Sequence, residues 1–315
     1  MIALILRRVA LAVPIIVLVS FAVFCLSLFL PGDPAVTIAG GADASPERIA
    51  EIRAALRLDD PFLVRYGRWL GDAVRLEFGR SLITGRPVAE DLLTKLPVTL
   101  SVGATAVLIA LLVSLPGGLL AGMRPGSLWD RGIVLSTNLG IAIPSFWLSL
   151  MLVLIFAVQL GWLPVLGYVR LGESPQEWLR HIILPAFALS ARMAAALTRQ
   201  LRAALIDVLS SNYVRTAWAK GATTQRVLLV HALKNAALPA ITILGLQMST
   251  LVGGSVIIEQ IFGLPGMGSF ALRGILSRDL PVIQAVTLLY AVVHIGANLL
   301  VDLSYGVLNP KVRVS

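Results

Sequence analysis

LPVTLSVGATAVLIALLVSLPGGLLAGM, residues 96–123, is a run of 28 residues without a charged side chain. As a helix rising about 1.5 Å per residue, it is long enough to cross about 30 Å of hydrocarbon. Four more uncharged runs of this kind follow from the same reading: Val9 to Gly32, Gly132 to Val169, Asn235 to Ile258 and Leu280 to Val301. The third is too long for one span, and Gln159, Gly161, Trp162 and Pro164 predict that its helix ends near Val158 at an interfacial aromatic. A sixth span is predicted from Ile182 to about Arg202, apolar and alanine-rich but interrupted near its middle by Arg192. That charge costs about 2.5 to 3.5 kcal/mol on insertion scales. Counting the sixth span makes the crossings even and keeps the basic segments on one side.

Composition agrees with a membrane protein. Hydrophobic residues make up 57% of the 315 and charged residues 14%, against about 45–50% and about 25% in soluble domains. These values exclude an ordinary cytosolic enzyme. The net charge of +9 would suggest nucleic-acid binding in a soluble chain, but a mean hydropathy of +0.86 leaves too little solvated surface for a basic face. The single cysteine, Cys25, lies in an apolar run, so no intrachain disulfide can form. The first run is longer than a signal-peptide core, and Leu30-Pro31-Gly32-Asp33-Pro34 offers no small-x-small cleavage site, so it reads as a retained helix.

The fold class expected is therefore an all-α membrane protein of six transmembrane helices. Residues 1–30 form the N-terminus and span one, 31–97 an extracytoplasmic helical insertion, and 98–315 the core. Its spans lie at about 98–122, 133–158, 182–204, 236–258 and 281–303, with a cytoplasmic segment at 205–235. With the N-terminus inside, the inner segments hold 12 Lys and Arg in 67 residues; the outer ones hold 13 in 112, nine of them in the long first loop. Long loops weigh little in the positive-inside rule, so both termini are predicted cytoplasmic.

Outside the spans, Ser45-Pro46-Glu47 gives an N-cap, a first-turn proline and a first-turn acid, and Asp60-Pro61 repeats the start signal. The second of these helices places Phe62, Tyr66, Trp69 and Ala73 along one side, which suits a helix lying on the outer membrane surface. Pro87 to Leu96 reads as a third short helix leading into span two. On the inner side, Asn212 is expected to cap a helix from Tyr213 to Lys220, with Gly221 ending it in a left-handed turn. Thr223 or Thr224 then starts a second helix, and Pro239 marks the elbow into span five. Docking onto a protein and resting on anionic lipid both fit this basic, partly apolar protrusion.

Within the spans, Tyr290, His294, Asn298 and Asp302 fall at i, i+4 steps on one face of span six. With Arg192, Gln247 and Ser249 they could line a translocation path or bond helices together. Gly245, Ser249 and Gly253 permit close helix approach on span five, as a sliding contact between two halves or as static packing. Glu259, Gln260 and Phe262 precede the turn-rich Gly263-Leu264-Pro265-Gly266 and form a candidate outer gate, with a plain turn as the alternative. Among chemical motifs, GxxxxGK[ST], HExxH, GxSxG and GxGD are all absent, and His181, His231 and His294 lie far apart in the chain. Neither catalysis nor a metal site is expected.

The run Tyr213-Val214-Arg215-Thr216-Ala217-Trp218-Ala219-Lys220-Gly221-Ala222, with His231-Ala232-Leu233-Lys234-Asn235 and Leu238-Pro239, resembles the peptide branch of the ABC-importer permeases. Arg215-Thr216-Ala217 and Gly221 occupy the place of the EAA-type motif, with Arg and Thr where the general pattern has Glu and Ala. Arg7-Arg8, Tyr66-Gly67-Arg68-Trp69-Leu70, Phe78-Gly79-Arg80-Ser81, Gly85-Arg86-Pro87-Val88, Ile261 to Gly266, Val301-Asp302 and Asn309-Pro310 are similar in the same order to the first of the two permeases. The resemblance implies a type I importer permease fold and a heterodimer with a similar permease. It further implies two ATPase subunits holding ATP and Mg, an extracytoplasmic binding protein, and an ATPase-coupling role for residues 213–217 and 219–222. Peptide is the implied cargo, with nickel chelates or other small solutes as alternatives. A proton-coupled secondary transporter using the span-six face is the rival of another class, and a membrane scaffold a third reading.

Overall fold

The computed structural model describes the backbone of residues 2–29, 34–39, 44–55 and 57–308. Residues 30–33, Asp43 and Asn309-Pro310, and the side chains of Ser249 and Asp302, lie outside the described residues. The chain is helical: α1 (Ile2–Phe29), α2 (Pro34–Ala39), α3 (Pro46–Ala55), α4 (Phe62–Val74), α5 (Val88–Met123), α6 (Leu128–Ala142), α7 (Ser145–Leu152), α8 (Pro175–Leu209), α9 (Asn212–Ala219), α10 (Thr224–Arg226), α11 (Leu233–Ile261), α12 (Met267–Leu276) and α13 (Leu280–Leu308). One isolated β-bridge, Arg80 to Pro87, closes the turn before α5. Among the described residues, four helices are long and apolar enough to cross a membrane, and α6 with α7 makes a fifth if the bent pair is one span. The described apolar stretch of α1, Ala10–Leu26, is shorter.

α8 is the centre of the bundle. Lipid tails are as apolar as leucine, so contacts between spans depend on close packing rather than on exclusion from water. α5 supplies that closeness: a Cβ on Gly118 would stand 2.8 Å from the Leu201 side chain, and one on Gly122 2.9 Å from Leu205. α11 covers another side of α8 through Met193, Ala194 and Leu197 against Ile243, Leu244 and Leu251. A larger cluster at the end away from α9 joins Val102, Leu152, Ile182, Leu189, Ile258 and Phe262.

Several local expectations change. The segment from Pro87 is not a separate helix; it is the first turns of a continuous 36-residue α5 that runs through Pro97 and Pro116. Helix α4 does not lie free on a surface: Phe62 and Tyr66 stack against Phe21 and Phe24 of α1, and Trp69 against Phe24. It starts one residue later than the Asp60-Pro61 signal, because Asp60 is engaged with Arg68 instead of capping. Ser45 does cap α3, its Oγ accepting from the Arg48 amide at 3.3 Å. The third run is two helices rather than one, bent by 103° at Ile143-Pro144. Proline there lacks the amide needed to continue α6 and its ring disfavours a helical residue before it. α7 then passes into a π-helical turn, Val153–Gln159, which ends one residue beyond the Val158 expected. Pro239 is not an elbow: it sits inside α11, and the irregularity falls earlier, in the π-helical stretch Val227–Ala232.

Candidate functional site

The protrusion at the C-terminal end of α8 is built from short-range rules. Ser211, not Asn212, is the capping position of α9, with extended backbone at φ −70° and ψ 152°. Asn212 is already helical. At the other end Lys220 leaves the helix and Gly221 takes φ +79°. The Gly221 amide bonds to the Trp218 carbonyl at 2.9 Å and the Ala222 amide to Ala217 at 3.2 Å, the paired bonds of a Schellman turn. No atom lies within 4 Å of a Cβ built on Gly221, so the left-handed backbone alone demands glycine here. Thr223 then caps the next helical stretch, accepting from the Arg226 amide at 3.4 Å.

Two sets of contacts hold this pair of helices to the bundle. Val214 and Val227 are fully buried. The Tyr213 hydroxyl donates to the His231 carbonyl and accepts from Asn235 Nδ2 at 2.8 Å, tying α9 to the foot of α11. Further along α8, Arg202 bonds Asp130 through Nε at 2.5 Å and Nη2 at 2.8 Å, while the Gly126 amide donates to the same carboxylate. This bidentate pair locks the start of α6 to α8. What remains outward on the protrusion is Arg215, Thr216, Trp218, Ala219, Lys220, Gly221, Gln225 and Arg226 beside the exposed Leu229 and Val230. Ala217 and Ala222 are half-buried. The exposed side of this segment is therefore both apolar and cationic.

At the opposite end, Glu259 is 1% exposed. It accepts from the Thr99 hydroxyl of α5 at 2.6 Å and from the Ser269 amide at the start of α12 at 2.8 Å, and Thr99 in turn accepts from the Met267 amide. A Cβ on Gly266 would stand 2.4 Å from the Glu259 carboxyl, so glycine is what lets the chain pass over the acid. Phe262 is buried beside it, and of the three residues expected at an outer gate only Gln260 is exposed. Asp279, 3% exposed, similarly accepts from the Ser81 hydroxyl and the Leu82 amide, joining the turn before α5 to the corner between α12 and α13.

The span-six face is only partly a cluster. Asn298 and His294 bond to each other at 3.0 Å, while Tyr290 packs into the apolar group of Met267, Val282 and Val286. Gln247 is half-buried on α11, and Arg192 is exposed on α8. Gly245 packs within this chain, 3.0 Å from the Val301 side chain of α13 for an added Cβ, whereas Gly253 is open. Sequence reading missed the Asp130–Arg202 pair and the ties of Glu259 and Asp279, because each joins residues 70 or more positions apart or across a turn. Among the described residues no group of three or more His, Cys, Asp or Glu could hold a metal ion.

Long apolar helices packed on one central helix, with a short two-helix protrusion at one end, define a multi-pass membrane protein. The chain belongs to the family of binding-protein-dependent transport system inner membrane components: that family's model matches residues 114–314, and the model of its N-terminal part matches residues 1–103. A relative from Brucella abortus is 42% identical over 313 residues, 99% of this chain and 99% of its own. The oligopeptide transport system permease protein AppB of Bacillus subtilis is 39% identical over 316 residues, covering 99% of this chain and 100% of AppB. The dipeptide transport system permease protein DppB of Escherichia coli is 36% identical over 336 residues, 99% of each.

Proposed function

We propose that the chain is one half of the transmembrane path of an ATP-driven, binding-protein-dependent importer of dipeptides and oligopeptides. Its partners are a homologous second permease, two ATPase subunits that hold ATP and Mg, and an extracytoplasmic binding protein. It crosses a bacterial or archaeal cytoplasmic membrane six times with both termini inside. The α9 knob, from Tyr213 to Ala222, is the part that seats on an ATPase subunit. The observation that supports this reading is the knob's construction: a short helix ended by a Schellman turn at Gly221 and bonded through Tyr213 to the start of α11. Nucleotide binding in the ATPases draws two such knobs together, and the spans above exchange outward for inward access. Near the opposite end, the element that Glu259 holds in place, α12 with the turn 262–266, serves as the outer gate. Peptide as cargo is supported by the names of AppB and DppB.

The test is reconstitution. A tagged chain isolated from its native membrane should bring the second permease and the ATPases with it, and that assembly in proteoliposomes with the binding protein should accumulate a tripeptide when ATP is added. Uptake by the lone chain under a proton gradient would overturn the importer reading in favour of a secondary transporter. Preference for nickel chelates over peptides in competition would move the cargo.

A further inference from the structure

Arg192 is the eighteenth residue of the 35-residue α8, so its backbone lies about 25 Å from either end of that helix. Its side chain is exposed at the surface of this chain, and among the described residues it has no hydrogen-bond or ion-pair partner. A guanidinium at that depth does not face hydrocarbon; it faces protein or water.

The face of α8 that carries Arg192 changes character at this residue. Toward the far end, Pro185, Ala188 and Leu189 on the same face are buried, in or beside the cluster of Ile258, Phe262 and Leu264, with α7 laid across them after its bend at Pro144. Toward the α9 end, Ala196 is half-buried and Arg199, Ala203 and Asp207 are exposed. Arg192 thus stands where this face passes from buried residues at the far end, through the buried Ala195, to exposed ones toward the α9 end. Moreover, no Asp or Glu occurs within residues 98–122, 133–158 or 236–258, and the single acid of 281–303, Asp302, lies at the end of that span. Within this chain no mid-span carboxylate is there to pair with it, and a carboxylate arriving along a water-filled path suits it.

We propose that Arg192 is a specificity-determining residue of the translocation path, where it binds the C-terminal carboxylate of the peptide in passage. The planar guanidinium suits a carboxylate bidentately. This rests on the importer reading above and adds the chemical group that the path recognises.

The experiment uses the whole importer in proteoliposomes, with trialanine and trialanine C-terminal amide as probes, each at a concentration that saturates the binding protein. Arg192→Gln should lower ATP-driven uptake of the acid by about tenfold, the value of one charged hydrogen bond. Uptake of the amide should change little, Arg192→Lys should recover part of the loss for the acid, and all variants should assemble and hydrolyse ATP in response to the binding protein. Equal uptake of the acid by wild type and Arg192→Gln, or an equal loss for acid and amide, would overturn the proposal. Failure of Arg192→Gln to assemble with its partners would overturn it too, pointing to an ion pair between subunits. If wild type assembles but takes up neither probe, the importer reading falls first and this inference with it.

Discussion

At the scale of single residues, two positions carry the sharpest consequences. Gly221 has φ +79° and open space around its absent Cβ, so Gly221→Val introduces backbone strain of about 1 to 3 kcal/mol and no clash. α9 should fray from its C-terminal end. The expected phenotype is normal abundance in the membrane and unchanged peptide binding by the binding protein, with loss of binding-protein-stimulated ATP hydrolysis and of uptake; wild-type uptake by this variant would remove α9 from the coupling role. Glu259 makes the opposite kind of prediction. Glu259→Ala leaves the half-buried Thr99 hydroxyl and the buried Ser269 amide without their acceptor, at about 1 to 3 kcal/mol for each group. Scanning fluorimetry of the assembled complex should show a clear loss of heat stability, smaller for Glu259→Gln, which keeps one oxygen acceptor. Gly221 was legible in sequence because a helix stop is written locally, in Lys220-Gly221-Ala222. Glu259 was visible only as an acid at a helix end; its true partners, Thr99 and Ser269, come from elements that sequence periodicity does not bring together.

Among the elements, the same division holds. Runs free of charge announce α5 and α13 by length alone, and the six basic residues of segment 199–235 mark the protrusion. The 103° turn between α6 and α7 was hidden, since Pro144 sits in an apolar run where neighbouring helices can tolerate a proline without a break, as they do at Pro97, Pro116 and Pro239. The polar face of α13 was legible as a pattern but not as a function. His294 and Asn298 bond to each other, which uses up hydrogen-bonding capacity that a proton relay would need. His294→Gln should therefore lower the heat stability of the complex by about 0.5 to 1.5 kcal/mol while the pH profile of uptake stays that of wild type. A displaced pH profile would restore the path-lining role to this face.

For the whole molecule, the prediction is one of sidedness. In a Cys25→Ser background, a membrane-impermeant maleimide added to intact cells should label Glu77→Cys, which is exposed after α4, and should reach Gln225→Cys on the protrusion only after the membrane is opened. Labelling of both from one side would break the six-span topology. The arrangement that such labelling would orient contains a long continuous helix that passes through two prolines. α5 has 36 residues, about 54 Å at 1.5 Å per residue, and so exceeds the hydrocarbon thickness it would cross. One end adjoins the turn held by Asp279, its Thr99 holds Glu259, and its glycines near the other end sit on Leu201 and Leu205 beside the Arg202–Asp130 pair. It is a lever arm. A tilt of only about 5° about one end sweeps the other through about 5 Å, so the arrival of a bulky partner on one side of the membrane can be felt as displacement on the other, with no signal passed from side chain to side chain in between.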